Sequence, residues 1–548
     1  MNPKFISGPP GTGKTNYFIK DKYLELIEKY DYKNIIVLSH TNVAANEIKD
    51  VILKLPLIKE KGIKATHLKY KICTIHRYCN NKIRPKHTFK YEDHINLCKE
   101  NSQFNRVIVK SEDALNTKHG FYRFLNDAHG NGYYDNLKEF WFSNSINRKT
   151  YQPYDFKIIL ELKEIYERYK EREHIYDFID MIQEFTNKAK VPEIDALIID
   201  EAQDSNKPQV KAIYKMATNV KDGHFYMVGD ADQTIFEFSG SDPDYFHRLS
   251  KDAEELKEGK RCGETINTIC KKIIKPIWDH YGYQRTWTPA VYTEEHLKQN
   301  KIEKGFKIGD TIKGKSFYLP NLEGSTGLDY LFNKINNTNQ TFLFTFRQTP
   351  GDKRIKDFFK RNALEFAHVK NNPFVSKKEL RCHYLWPKFL NDEPLSLTQI
   401  KAFWDYMGSK VIVRGKSKAQ DPFKDWIKKD YKIDELIKAG LLKAETKQYR
   451  QFDEIRTKTD EERLIYINRV IKKGFNFDAD IRIKYGNIHE VKGLTFDNVI
   501  VDESLYRDDE KYFVQLRLKY TAYSRGIFDC WTIATQTGKK LGGINGSI

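Results

Sequence analysis

Short apolar runs alternate along this chain with longer stretches whose apolar residues recur at helical spacing, a pattern that predicts an α/β fold. Pro3–Ser7 reads as a short strand, and Asn16–Tyr30 follows with Tyr17, Phe18, Leu24 and Ile27 on a helical period. Ala196–Ile199 is a continuous apolar run of the kind that fills a strand buried on both faces of a parallel sheet. Ser316–Leu319 and Thr341–Phe346 read as further strands, Gly327–Ile335 and Lys353–Asn362 as helices, and Asp480–Tyr485 as a return to the same pattern. Two long segments interrupt it. In the first, Phe156 to Ile182 carries Ile158, Ile159, Leu162, Ile165, Tyr166 and Tyr169 at helix period, in a stretch too long for a structureless loop. In the second, Leu397–Tyr406 and Asp460–Lys472 read as helices.

Composition narrows the class. At about 100–200 residues per domain, 548 residues predict three to four domains, and 14% aromatic residues exclude a disordered chain. No apolar stretch approaches the ~18 residues of a membrane span, and Met1–Phe5 opens without a signal-peptide run, so nothing marks the chain for secretion and a cytoplasmic protein with no membrane partner is expected. Seven scattered cysteines argue for a reducing compartment; Cys73 and Cys79 are too far apart for a zinc knuckle, so no metal–cysteine site is expected. Lys+Arg exceed Asp+Glu by 93 − 75 = 18, which suits a polyanion such as nucleic acid without identifying one.

Motifs say more. Gly8-Pro9-Pro10-Gly11-Thr12-Gly13-Lys14-Thr15 fits G-x-x-x-x-G-K-[ST] between a predicted strand and a predicted helix. Glycines let consecutive N–H groups curl toward a phosphate at a helix N-terminus; Lys14 would reach the β- and γ-phosphates and the Thr15 hydroxyl would ligate Mg²⁺. The Ala196–Ile199 run ends in Asp200-Glu201-Ala202-Gln203-Asp204, where ligands bind at the carboxyl ends of parallel strands. Asp200 is then the expected Mg²⁺ partner and Glu201 the base that activates the attacking water. ATP and Mg²⁺ are the cofactors these motifs call for.

At this point the chain resembles superfamily 1 DNA helicases of the UvrD/Rep/PcrA type. Asp200–Asp204 resembles that family's DExQD box. Ile35–Ala45, Thr74–Arg77, Met227–Gly240, Leu256–Cys262, Phe342–Arg347, His489–Phe496 and Tyr520–Arg525 resemble its other motifs, in the family's order across nearly the whole chain. The resemblance implies an ATP-dependent translocase and helicase acting 3′ to 5′ on single-stranded and tailed duplex DNA. It implies that Gln233 senses the γ-phosphate and that Arg261 and Arg525 act as arginine fingers from a second motor domain. It also implies DNA contacts at His40, Thr41, Asn42, Thr74, His76, Phe236, Phe238, His489 and Lys492. Phe236 and Phe238 equally fit one buried face of a strand at period 2.

The implied architecture is two RecA-like parallel-sheet motor domains, each interrupted by a mostly helical insertion: 1–80 and 190–255 with an insertion at 81–189, then 256–375 and 478–548 with an insertion at 376–477. Departures from the family fall on the nucleoside side: little room precedes Gly8 for an adenine-reading glutamine, Lys260 stands for a stacking Tyr, and Thr495 for a ribose-binding Glu. Weak discrimination among NTP bases is therefore expected. Ser239 replaces a DNA-contacting Arg, which keeps open a DNA-binding switch that cycles NTP without unwinding. An RNA-directed enzyme of the same fold also stays open, because the 2′-OH distinction leaves no mark on these motifs. Glu490-Val491-Lys492 matches half of a nuclease signature but lies inside a motif already used, so no nuclease is expected.

Overall fold

The computed structural model describes residues 2–109, 120–143, 148–221, 223–299, 301, 305–319, 322, 326–347, 349–413, 422–424, 426–427, 429–456, 460–503 and 511–533. They form two units. One comprises the described residues of Met1–Thr293, Phe306–Lys313 and Asp509–Ser524; the other comprises those of Glu294–Gly305, Gly314–Asp508 and Arg525–Ile548. Among the described residues, no helix is long and apolar enough to cross a membrane.

The first unit is built on a parallel sheet of β1 (Lys4–Ser7), β2 (Ile35–Ser39), β3 (Ile72–Thr74), β4 (Ala196–Ile199), β5 (Phe225–Gly229) and β6 (Glu254–Glu255), in the order β3-β2-β4-β5-β1-β6. Period-2 geometry sorts its central side chains into two cores. Ile36, Leu38, Leu197, Ile199, Phe225 and Met227 pack on one face. Ile35, Val37, Ala196, Ile198, Tyr226 and Val228 pack on the other. Burial on both faces is why these strands read as unbroken apolar runs.

Helices at Tyr91–Glu100, Gly120–Gly130, Leu137–Phe142 and Phe156–Glu173 lie between β3 and β4 and share an aromatic core around Phe104, Phe121, Phe124 and Tyr166. The periodic stretch from Phe156 does not continue unbroken to Ile182. His174 turns left-handed at φ 56°, and Asp177 starts a new helix, Phe178–Lys188, by accepting the N–H groups of Ile179 and Asp180. Ile182 and Phe185 of that helix join the sheet core, so the sheet's packing extends back across the expected boundary at 189.

The chain after β6 also differs from expectation. Residues 256–293, expected in the second motor domain, belong to the first unit. The reason is β6: Glu254 and Glu255 extend the sheet beside Ile6 and Ser7, and Leu256 N–H donates to Ser7 O at 2.8 Å, so the following chain runs on along the Gly8–Thr15 loop. Helix Glu264–Tyr281 then packs against helix Tyr512–Tyr523.

The second unit has its own parallel sheet: β7 (Ser316–Leu319), β8 (Phe342–Phe346), β9 (Phe366–His368), β12 (Ile483–Asn487), β13 (Asn498–Asp502) and β14 (Cys530–Ile533), ordered β7-β14-β13-β8-β12-β9. Between β9 and β12, a two-stranded ribbon of β10 (Leu395–Ser396) and β11 (Asp430–Tyr431) and helices Lys377–Leu390 and Leu397–Tyr406 close a separate core around Trp386, Phe389, Phe403 and Phe452. Helix Glu461–Lys473 instead sends Tyr466, Ile467 and Val470 into the sheet core.

Candidate nucleotide and nucleic-acid site

The Gly8–Thr15 loop leaves β1 and is held by Gly8 N–H donating to Gly229 O at 3.3 Å. Gly11 and Gly13 take φ of 73° and 78°, a left-handed backbone natural to glycine. Gly11 is also needed for space, since a Cβ there would lie 2.3 Å from Arg261 Cβ. Lys14 opens the helical stretch that runs to Lys29 through a wide turn at Phe18–Tyr23. Its Nζ donates to Gly8 O at 2.7 Å and Pro9 O at 3.3 Å, curled inside the loop where a β/γ-phosphate would compete for it. Burial depresses the Lys14 ammonium, while the Asp230 and Glu201 carboxylates oppose that shift.

Asp200 follows β4, and its N–H donates to Leu38 O at 2.8 Å. Burial first, then the adjacent Glu201 carboxylate, push the Asp200 carboxyl up to about 7. Glu201 sits at φ 51°, a strained conformation for a non-glycine residue. Among the described residues, no group of three His, Cys, Asp or Glu side chains forms a metal cage. Mg²⁺ needs only one or two protein oxygens and completes its octahedron with phosphates and water, so the Asp200 carboxylate with the Thr15 hydroxyl has the donor chemistry it requires.

A hydrogen-bond chain joins the expected base to the expected sensor. Gln203 Nε2 donates to Glu201 Oε2 at 2.5 Å, and Gln203 Oε1 accepts Asp230 N–H at 3.1 Å. Asp230 Oδ2 accepts Gln233 Nε2 at 2.8 Å. A carboxylate only accepts, so Gln233 is fixed with its nitrogen toward Asp230 and its carbonyl turned away. Gly229 makes room for this chain, because a Cβ there would lie 2.1 Å from Gln203 Oε1. Gln203 and Asp230 were not singled out from sequence. Both lie inside recognised motifs, but only the fold shows that they meet.

Arg261, expected from a second domain, instead belongs to the first unit with the loop. Lys260 N–H donates to Gly11 O at 2.7 Å, and Arg261 Nη1 donates to Ser524 O at 3.4 Å. Arg525 does belong to the second unit, where it is buried and its Nη1 reaches Leu494 O at 3.5 Å. His489 and Lys492 lie in that unit too. Their neighbour Glu490 accepts the Asn487 N–H at 3.1 Å and pairs with His368 and Lys370.

Of the expected DNA contacts in the first unit, Thr41 and Thr74 cap helices by accepting Ala44 N–H at 3.1 Å and Arg77 N–H at 3.2 Å. His40 Nε2 lies 3.1 Å from Ser205 Oγ, and Asn42 is exposed at the next helix start. His76 meets the half-exposed Phe178 edge-on at 5.3 Å, and burial lowers its imidazole to about 4, so the ring is neutral near pH 7. Phe236 and Phe238 lie in a turn instead of on a strand face, 6.0 Å apart, with the Arg123 guanidinium 4.9 Å over Phe238. Phe178 and Arg123 went unnoticed because both sit among helix-period residues. Glu237 in that turn pairs with Arg517, whose helix also brings the Tyr520 hydroxyl within 3.5 Å of Asp230.

Comparison with known proteins adds to this geometry. Residues 1–254 match the family model for the UvrD/REP helicase N-terminal domain. A probable DNA helicase II homolog of Mycoplasma pneumoniae is 24% identical over 419 residues, covering 70% of this chain and 56% of that protein. The ATP-dependent DNA helicase Rep of Buchnera aphidicola subsp. Schizaphis graminum is 28% identical over 330 residues, 57% of this chain and 45% of Rep. The ATP-dependent DNA helicase PcrA of Staphylococcus aureus is 24% identical over 399 residues, 69% of this chain and 50% of PcrA. The chain spans about half the length of the curated relatives it matches.

Proposed function

We propose that this chain, whose residues 1–254 match the UvrD/REP helicase N-terminal domain, is a superfamily 1 helicase of the UvrD/Rep/PcrA type that works as an ATP-driven single-stranded DNA translocase and helicase. Its two parallel-sheet units serve as RecA-like motor domains, and the helices between β3 and β4 and between β9 and β12 serve as insertions. The observation that carries this reading is the junction of the phosphate loop, Asp200, Glu201, Gln233 and Arg261 within one unit. The 3′-to-5′ direction is taken from the family resemblance.

The loop N–H groups and Lys14 bind the triphosphate, and Thr15 and Asp200 are the residues that would hold its Mg²⁺. That ion, when bound, supplies charge neutralisation on the transferring phosphoryl oxygens. Glu201, steadied by Gln203, accepts the proton of a water attacking the γ-phosphorus, and the Gln233 carbonyl orients that water. Arg261 offers a guanidinium from beside Gly11, and the family resemblance implies Arg525 as a second. His40, His76, Phe178, Phe236 and Phe238 take the strand, where base stacking contributes ~1–3 kcal/mol per base regardless of sequence. The Glu237–Arg517 pair and Tyr520 connect that surface to Asp230. Lys260, beside Gly13, offers no aromatic face on which a base could stack, so other NTPs serve.

ATP hydrolysis measured with and without an unstructured single-stranded DNA oligonucleotide tests this. Strong stimulation that vanishes in Lys14→Ala is the expected result. Stimulation by RNA alone, or indifference to both nucleic acids, would overturn the substrate assignment.

A further inference from the structure

Asp230 and Asp232 are both fully buried, and one guanidinium serves them. Arg285 Nη1 lies 2.6 Å from Asp230 Oδ1 and 3.3 Å from Asp232 Oδ2. Its Nη2 donates to Ser250 Oγ at 3.2 Å, and Trp278 Nε1 donates to Asp232 Oδ2 at 2.8 Å. Arg285 lies in the irregular segment after helix Glu264–Tyr281, outside every motif recognised in the sequence.

The consequence follows from Asp230's second oxygen. Oδ2 holds Gln233 Nε2, and the Asp230 N–H is held by Gln203, which in turn holds Glu201. The Asp230 carboxylate holds the Gln233 amide in place while it keeps this one rotamer. Away from water that requires a partner which is always charged and geometrically rigid, and a guanidinium fork is both. Without it, two neighbouring buried carboxylates lose the guanidinium that bridges them.

Resting on the hydrolytic reading above, the geometry points to Arg285 as a positioning residue for NTP hydrolysis, acting through Asp230 on Gln233. It touches no substrate; it sets the amide that does.

A double-mutant cycle tests this. Arg285→Gln and Arg285→Lys are each made in wild-type and Gln233→Ala backgrounds, and kcat and KM for ATP are measured at saturating single-stranded DNA. Arg285→Gln should lower kcat about 10- to 100-fold, the scale of a small misplacement in a reactive site, with KM within about twofold. Arg285→Lys should restore part of the loss, because an ammonium supplies the charge without the fork. In the Gln233→Ala background either change should alter kcat by no more than about twofold, since the group being positioned is gone. Equal losses in both backgrounds, or no loss in either, would overturn the assignment and leave Arg285 a fold-supporting residue. If Arg285→Gln fails to fold, the Arg285→Lys arm of the cycle decides the same question. A wild-type protein that hydrolyses no NTP under any condition overturns the hydrolytic reading itself, a failure visible before any variant is made.

Discussion

Two aspartates end parallel strands at matching places in the two sheets, and their surroundings differ. Asp502, at the end of β13, is fully buried and paired with Arg354 of the helix that follows β8. Asp200, just past β4, is nearly as buried, but its close charged neighbours are a second carboxylate, Glu201, and the Lys14 that faces the phosphate loop. One sheet edge has its charge compensated within the protein. The other keeps a carboxylate poorly compensated, which is the condition for recruiting a cation with a substrate. On the proposed reading, the same backbone architecture supports structure in one unit and chemistry in the other.

Substitution should separate the two. Asp200→Asn should lower ATP hydrolysis at least about 10²–10³-fold, a typical loss for an electrostatic group in a reactive site. Its thermal midpoint should hold or rise, since a poorly compensated buried charge is removed. Arg354→Ala should do the reverse: leaving Asp502 buried without its partner costs about 3–5 kcal/mol in denaturant unfolding, while KM for ATP stays near wild type. A destabilised Asp200→Asn, or an Arg354→Ala as stable as wild type, would erase the contrast.

A smaller effect sharpens it. Asp200 sits near 7 in the fold, above its usual range, so its contribution to stability is present in acid and lost as pH rises through 7. If Asp200 holds Mg²⁺ as proposed, proton and metal compete for its carboxyl. The apparent Mg²⁺ affinity in nucleotide binding should therefore climb between pH 6 and 7, by up to about tenfold per unit, and flatten above. Asp200→Asn should remove that slope; a wild-type affinity equal at pH 6 and 8 would count against the role given to Asp200.

The contrast also shows what could be read in advance. The phosphate loop and the Asp200–Asp204 box were legible because each packs its chemistry into consecutive residues flanked by apolar runs. The placement of Arg261 was not, because it depends on β6, whose two glutamates carry no apolar pattern yet pair with β1. The helix break at His174 was hidden by periodicity that resumes at once, with Asp177 as the cap that marks it. Arg285 was invisible for a third reason: its carboxylate partner lies 55 residues away, and only the fold joins them.

Strand displacement on duplexes carrying either a 3′ or a 5′ single-stranded tail, with ATP and Mg²⁺, bears most directly on the motor. Displacement of the 3′-tailed duplex by the wild type, absent in Lys14→Ala, is the expected result. DNA-stimulated hydrolysis that displaces neither duplex would contradict it and leave a nucleotide-driven binding switch in its place.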